Sequence, residues 1–187
     1  MTNPPATLRE RWNDGGSTLG VWLSVPSTIT AELIAGVGFD YTCLDLQHGA
    51  IDYQAAVPMI QAVLLGGGTP IARAPWNEPG IVGKLLDAGA QGVIVPMVNS
   101  PEEASAVVRA MRYPPHGSRS FGPVMAAMRN PGHHAWSAEG VAVIPMIETV
   151  EALRNLHAIL AVPHLDAVYV GPADLSASLG LPPQNND

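Results

Sequence analysis

Two carboxylates, Glu148 and Asp174, stand where chemistry would be expected in this sequence. Each follows a short apolar run, Val141–Ile147 and Asp166–Val170, and Val150–Leu160 between them has helical periodicity. Strand, helix and strand at this spacing read as a βαβ unit with two parallel strands. Parallel α/β architectures gather their chemistry at the carboxyl ends of strands. Two carboxylates side by side there repel unless a cation lies between them. Mg²⁺ takes one or two carboxylates and completes its shell with waters and substrate oxygens. The plainer reading makes Glu148 a helix cap and Asp174 a solvated loop residue. Position alone leaves both open.

The other strand ends carry Trp22, Asp45, His48 and Arg73. The planar fork of Arg73 suits a carboxylate or an enolate oxygen, and an arginine in an apolar strand needs a buried anion. Histidine ordinarily titrates near neutrality, so His48 suits proton transfer, although a lone histidine after a strand is more often structural. Asp45 is placed to hold a water or orient its neighbours. In Gly171-Pro172-Ala173-Asp174-Leu175-Ser176, small residues entering a helix leave backbone N–H groups for an anionic carboxylate. A metal beside that hole would hold a 2-oxo acid by its ketone and carboxylate oxygens and stabilise an enolate. Three other features point away from chemistry. His133-His134 lacks the spacing of a ligand pair. Gly66-Gly67-Gly68 follows a helix and precedes a strand, the wrong order for a phosphate loop. Lys84, the only lysine, lies in the helical segment GIVGKLLDAG, so Schiff-base chemistry has no good candidate.

The elements that must position these groups alternate along the chain. A short helix around Leu8–Trp12 leads to strands at Leu19–Ser24, Phe39–Leu46, Pro70–Ala74 and Gly92–Met97, then the two already described. Helices fall between them. Ser27 or Thr28 caps the first, running to about Val37. Asp52 opens the next, to Leu65, with Pro58 kinking it or lying near its start. Asn77 is expected to cap one ending at Ala88. Ser100 and Glu103 form a capping box for a helix to about Arg112. Tyr113–Glu139 reads as a long loop. Six strands alternating with helices give a (βα)n pattern, closed either as a barrel or as a doubly wound sheet. The chain has 187 residues, 47% apolar and 13% charged, with net charge -7 and no basic cluster, which argues against nucleic acid. No apolar run reaches membrane-spanning length and the start lacks a signal-peptide core. One cysteine, Cys43, excludes an internal disulfide and suits a reducing compartment. The expected setting is cytoplasmic, with a small-molecule partner and neither membrane nor nucleic acid.

GVWLS, LDLQHG, ARAP, LLDAGAQGVIVPMV, RYPPHGSRS, PMIET and GPADLS follow one another in this order. Together they resemble the metal-dependent (class II) pyruvate aldolases of the HpcH/HpaI, or hydroxy-oxo-dioate aldolase, family, from Leu19 to Gly180. The resemblance implies an α/β fold of the (β/α)₈ TIM-barrel type, a homo-oligomer (usually a hexamer) and a divalent cofactor, Mg²⁺, Mn²⁺ or Co²⁺. It makes Glu148 and Asp174 the metal ligands, Arg73 the stabiliser of the enolate and His48 the base, acting through a metal-bound water that Asp45 supports. Asp87 would pair with His48 across a subunit boundary. Trp22 would line the pocket, and the backbone of Gly171, Pro172, Ala173 and Asp174 would hold the pyruvate carboxylate. The implied reaction makes or breaks 4-hydroxy-2-oxo acids through a pyruvate enolate.

Three departures stand out. Gln47 replaces the family's usual glutamate, which removes a charge beside His48. Met146 replaces a frequent glutamine. The family runs to roughly 250 residues, the usual barrel size, whereas this sequence stops after a sixth strand. Residues 1–187 are therefore expected to form one barrel domain lacking its last two βα units, with open edges at the first and sixth strands, as a fragment of a longer product or with a neighbour filling the gap. Two rival readings are another metal-dependent oxo-acid lyase or decarboxylase on the same barrel, and a truncated, non-catalytic subunit.

Overall fold

The computed structural model describes residues 6–183; the polar ends of the sequence, 1–5 and 184–187, lie outside this range. In chain order the elements are α1 (Leu8–Asn13), β1 (Gly20–Leu23), α2 (Thr28–Ala35), β2 (Tyr41–Asp45), α3 (Tyr53–Leu65), β3 (Pro70–Arg73), α4 (Pro79–Asp87), β4 (Gly92–Val95) and α5 (Pro101–Met111). There follow α6 (Val124–Arg129), α7 (His133–Gly140), β5 (Ala142–Ile147), α8 (Val150–Arg154), α9 (Leu156–Leu160), β6 (Tyr169–Val170) and α10 (Pro172–Ser178).

The strands lie in sequence order, β1 to β6, every neighbouring pair parallel. This is the α/β alternation expected from the sequence, because each helix carries the chain back to start the next strand in the same direction. Alternate strand residues divide the apolar side chains into two cores. One packs the outer sheet face against the helices, with Leu44, Ile60, Leu85, Leu86, Val93, Val107 and Val143 fully or almost fully buried. The other lines the inner face, with Cys43, Ile71, Ile94, Ile144 and Met146, and is plugged from the amino-terminal end by Leu8 and Trp12 of α1. The sheet is curled. Trp22 of β1 and Tyr169 of β6, from opposite ends of the strand order, bring their ring centroids within 5.3 Å. Ile29 and Leu33 on α2, with Val37 just beyond it, remain exposed. Among the described residues, no helix is long and apolar enough to cross a membrane.

Several local expectations need correction. The cap of α4 is Glu78, whose carboxylate accepts the Gly80 and Ile81 N–H groups while Pro79 takes the first turn; Asn77 is outside it. Ser100 does accept from Glu103 N–H, but the Glu103 carboxylate reaches Asn99 N–H at 2.6 Å, so the reciprocal half of the box is displaced by one residue. Tyr113–Glu139 is no plain loop, since α6 and α7 form within it. The helix expected over Val150–Leu160 breaks at Asn155, whose side chain donates to the Asn99 carbonyl at 2.8 Å. Pro58 is accommodated inside α3, which continues to Leu65.

Candidate active site

The carboxyl ends of β1, β3, β5 and β6 surround an open cleft of about 480 Å³, lined by Trp22, His48, Arg73, Met146, Tyr169 and the Gly171–Asp174 turn. Register explains the convergence. Asp45 is level with Arg73 across β2 and β3, and Trp22 with Cys43 across β1 and β2, so these side chains leave the inner face in adjacent layers.

Arg73 finds its anion inside the chain. Its Nε donates to Asp45 Oδ1 at 2.9 Å and its Nη2 to Oδ2 at 2.7 Å, a parallel two-bond pair. The guanidinium carbon also lies 4.8 Å from the centre of the Trp22 ring. Asp45 is buried and Oδ1 further accepts the Gln47 and His48 N–H groups at 3.1 and 3.2 Å. Burial pushes the Asp45 carboxyl up, but Arg73 and the two amides outweigh it and hold the group below its ordinary range. One buried carboxylate thus fixes both the arginine fork and the turn that carries His48. Gly49 completes that turn, since a Cβ there would run into the Asp45 carbonyl and the Ser24 backbone.

Glu148 has only 1% of its surface exposed. Its Oε1 accepts the Met97 N–H at 2.6 Å, and Oε2 has no partner among the described residues. Burial raises its carboxyl above the usual range; the Met97 bond opposes this and the Asp174 charge adds to it. Met97 itself has φ 57°, a left-handed backbone unusual for a side-chain-bearing residue, and that turn aims its N–H at Glu148. Gly171 passes directly over the orphan oxygen; a Cβ there would sit 2.6 Å from Oε2. The first turn of α10 opens on Pro172 and receives no side-chain cap, so the Ala173 and Asp174 N–H groups stay available.

These groups fit a hard divalent cation. A buried carboxylate oxygen without a donor, within electrostatic reach of a second carboxylate on the cleft wall, has room for a cation beyond the more distant charge of Arg73. Among the described residues no three His, Cys, Asp or Glu side chains form a metal cluster. The available set is therefore two carboxylates plus water and substrate oxygens, the pattern suited to Mg²⁺ rather than to an all-protein cage.

Of the residues singled out in the sequence, Trp22, His48, Arg73, Gly171, Pro172, Ala173 and Asp174 line the cleft, with Asp45 and Glu148 buried behind it. Asp87 is elsewhere: it ends α4 and accepts from Arg119 Nη2 at 2.6 Å. Lys84 lies on α4 over the Tyr53 ring, as its helical setting implied. His133 is buried against Trp136 and Tyr113, and burial lowers its pKa. Two contributors escaped the sequence reading. Met97 acts through its backbone, which residue type does not reveal. Tyr169 lies inside the apolar run Asp166–Val170 and its type does not single it out, although alternation after Ala167 places it on the inner face.

A curled parallel sheet with a carboxylate pair and an arginine–aspartate clamp at its strand ends defines an α/β protein with a charged cleft at the carboxyl ends of its strands. The chain belongs to the HpcH/HpaI aldolase/citrate lyase family, whose model matches residues 18–187. It is 44% identical over 177 residues to the hydroxypyruvate/pyruvate aldolase of Rhizorhabdus wittichii, covering 94% of this chain and 70% of that one. It is 41% identical over 170 residues to the 4-hydroxy-2-oxo-heptane-1,7-dioate aldolase of Klebsiella pneumoniae, covering 89% of this chain and 64% of that one. The chain thus spans about two thirds of the length of these curated relatives. Among solved structures, an HpcH/HpaI aldolase/citrate lyase family protein from Burkholderia cenocepacia J2315 superposes with a TM-score of 0.87 at 34% identity, covering 96% of this chain and 75% of that one.

Proposed function

We propose that this chain serves as a divalent-metal-dependent pyruvate aldolase, making and cleaving 4-hydroxy-2-oxo acids through the enolate of pyruvate. The observation that carries the reading is Glu148, a buried carboxylate with one oxygen unpartnered beside Asp174 at the mouth of an anion-suited cleft. The names of the relatives, all aldolases of small oxo acids, point the same way. Glu148 and Asp174 would hold Mg²⁺, Mn²⁺ or Co²⁺, which when bound would act as the Lewis acid that polarises the substrate ketone.

The chain's own groups do the rest. The Ala173 and Asp174 N–H groups bind the substrate carboxylate and set its orientation, since Pro172 has no N–H and that of Gly171 is donated to the Ile147 carbonyl. Asp45 engages Nε and Nη2 of Arg73, which leaves Nη1 to face negative charge developing on the ketone oxygen. Trp22 backs that guanidinium and restricts where its planar fork can sit. His48, held on its turn by Asp45, takes the C4 hydroxyl proton in cleavage and delivers it to C3 of the enolate; in condensation it removes a C3 proton of pyruvate and delivers it to the aldehyde oxygen. Within one chain Asp87 is bound to Arg119, so its pairing with His48 needs a second copy; a homo-oligomer, hexameric by resemblance, and residence in the cytoplasm belong to the same proposal. So does completion of the six-stranded sheet to an eight-stranded barrel.

The test is condensation of pyruvate with glyoxylate or succinic semialdehyde, followed by chromatography. Product should form with Mn²⁺ or Co²⁺, vanish with EDTA and return on re-addition. Turnover that survives EDTA and is blocked by borohydride in the presence of pyruvate would overturn the reading in favour of an imine.

A further inference from the structure

Beneath the cleft, on the inner face of the sheet, lies a second cavity of about 330 Å³. Ile71, Ile94 and Ile144 form much of its wall and Trp12 of α1 bounds it. The rest of its wall includes Thr18, Tyr41 and Asp166, a carboxylate already paired with Arg9 and Arg112, and no cationic side chain, whereas Arg73 and His48 stand with Asp174 in the cleft above. One residue lines both spaces: Tyr169. It projects inward from β6, level with Met146 of β5, and its ring leans on Trp22 at 5.3 Å between centroids with the planes 50° apart. Trp22, Met146 and Tyr169 thus form a layer between the polar cleft and the apolar cavity. Trp22 is fixed by the Arg73 guanidinium on it, and Met146 is 1% exposed within β5. Tyr169, on the two-residue end strand β6, is the part of the layer that touches both spaces.

We propose that Tyr169 is a specificity-determining residue that limits the length of the aliphatic group a bound 2-oxo acid carries, by closing the cleft off from the apolar cavity below. The inference rests on the oxo-acid reading of the cleft. A ligand whose carboxylate and ketone are held at the Gly171–Asp174 turn and Arg73 has its alkyl end near the aromatic layer. Methyl fits above Tyr169, whereas a longer chain must pass it. With the ring removed, the chain would enter a space already lined by isoleucines. Each buried methylene is worth about 0.8 kcal/mol, about fourfold in affinity. The three added methylenes of 2-oxohexanoate could therefore recover up to about sixtyfold relative to pyruvate.

The experiment is calorimetric titration of the 187-residue protein, in excess Mg²⁺, with pyruvate, 2-oxobutanoate and 2-oxohexanoate. Wild type should bind pyruvate and lose affinity as the chain lengthens, at least about tenfold at 2-oxohexanoate, two to three methylenes' worth. Tyr169→Ala should reverse that order, raising the 2-oxohexanoate to pyruvate affinity ratio about ten- to sixtyfold. Tyr169→Phe, which keeps the ring, should keep the wild-type ratio. Adding Ile144→Phe to Tyr169→Ala refills the lower cavity and should cancel the gain. If Tyr169→Ala fails to fold by circular dichroism, Tyr169→Leu is read in its place with a smaller gain in the same direction. Wild type binding 2-oxohexanoate as tightly as pyruvate, or a folded Ala or Leu variant keeping the wild-type ratio, overturns the proposal. A wild type that binds none of the three acids overturns the oxo-acid reading and this inference with it, a result distinct from an unchanged ratio.

Discussion

Replacing Glu148 by glutamine separates a metal ligand from a structural cap. The side chain is 1% exposed, with one oxygen bonded to Met97 N–H and the other unpartnered. Glutamine keeps the shape and the acceptor for Met97 but removes the buried charge. An unsatisfied buried polar group costs about 1–3 kcal/mol. Without metal, Glu148→Gln should therefore be more stable than wild type at neutral pH. For a chain of this size about 1 kcal/mol moves Tm by roughly 2–4 °C; since the glutamine Nε2 is itself left without a partner, only the lower bound of that cost is recovered, and the expected gain is about 2–4 °C. With metal at 100 times Kd, wild type should gain about 2.7 kcal/mol, or roughly 5–11 °C. The variant, short of one of two ligands, should gain little, and the order of stability should invert. Differential scanning calorimetry in EDTA and in Mn²⁺ reads both limbs. A variant less stable than wild type in EDTA and equally stabilised by Mn²⁺ would refute the reasoning and make Glu148 a cap for the Met97 turn.

Other expectations follow from the same geometry. Asp174→Ala should lose metal affinity by calorimetric titration while retaining the fold, because Asp174 stands on the cleft wall. His48→Ala should lower aldol turnover by ~10²–10⁴-fold, the usual worth of a general acid–base group, with pyruvate affinity largely kept. Arg73→Lys should lose the two-bond contact with Asp45 and most turnover, since an ammonium cannot present two parallel donors; steady-state kinetics checks both variants. Asp45→Asn should cost about 3 kcal/mol at pH 7 by breaking a buried pair. The Asp45 carboxyl is held below its ordinary range, so its contribution is present above that range and is lost as pH falls through the depressed folded-state pKa. Urea midpoints of wild type and variant should therefore differ at pH 7 and converge as pH falls below the ordinary carboxylate range.

Much of the frame was legible because parallel strands buried on both faces are short apolar runs. LGVWL, YTCLDL and GVIV are flanked by Thr18 and Ser24, by Asp40 and Gln47, and by Gln91 and Pro96, and the strand ends place polar residues in one layer. Glu148, Asp174, Arg73 and His48 were readable for that reason: charged or titratable groups just beyond such runs have little to gain there from packing alone. Other features depend on contacts that residue type does not encode. The anion demanded by Arg73 turned out to be Asp45, a pairing fixed by the β2–β3 register. The N–H that holds Glu148 comes from the left-handed turn at Met97, where no glycine advertises it. His133–Gly140 lacks an apolar stripe, so α7 could not be told from a loop, and the break at Asn155 follows from its bond to Asn99, distant in sequence. Asp87 could be placed on its helix but not in the cleft, since the chain pairs it with Arg119.

The central claim is that this cleft stabilises a pyruvate enolate by means of a divalent ion and His48. Exchange of the pyruvate methyl hydrogens for solvent deuterium, followed by proton NMR, tests it without any acceptor aldehyde. With Mg²⁺ the wild-type protein should wash out the methyl signal; EDTA should stop the exchange, and His48→Ala should slow it by ~10²-fold or more. Exchange that continues at the same rate in EDTA, or in both Glu148→Gln and His48→Ala, would contradict it.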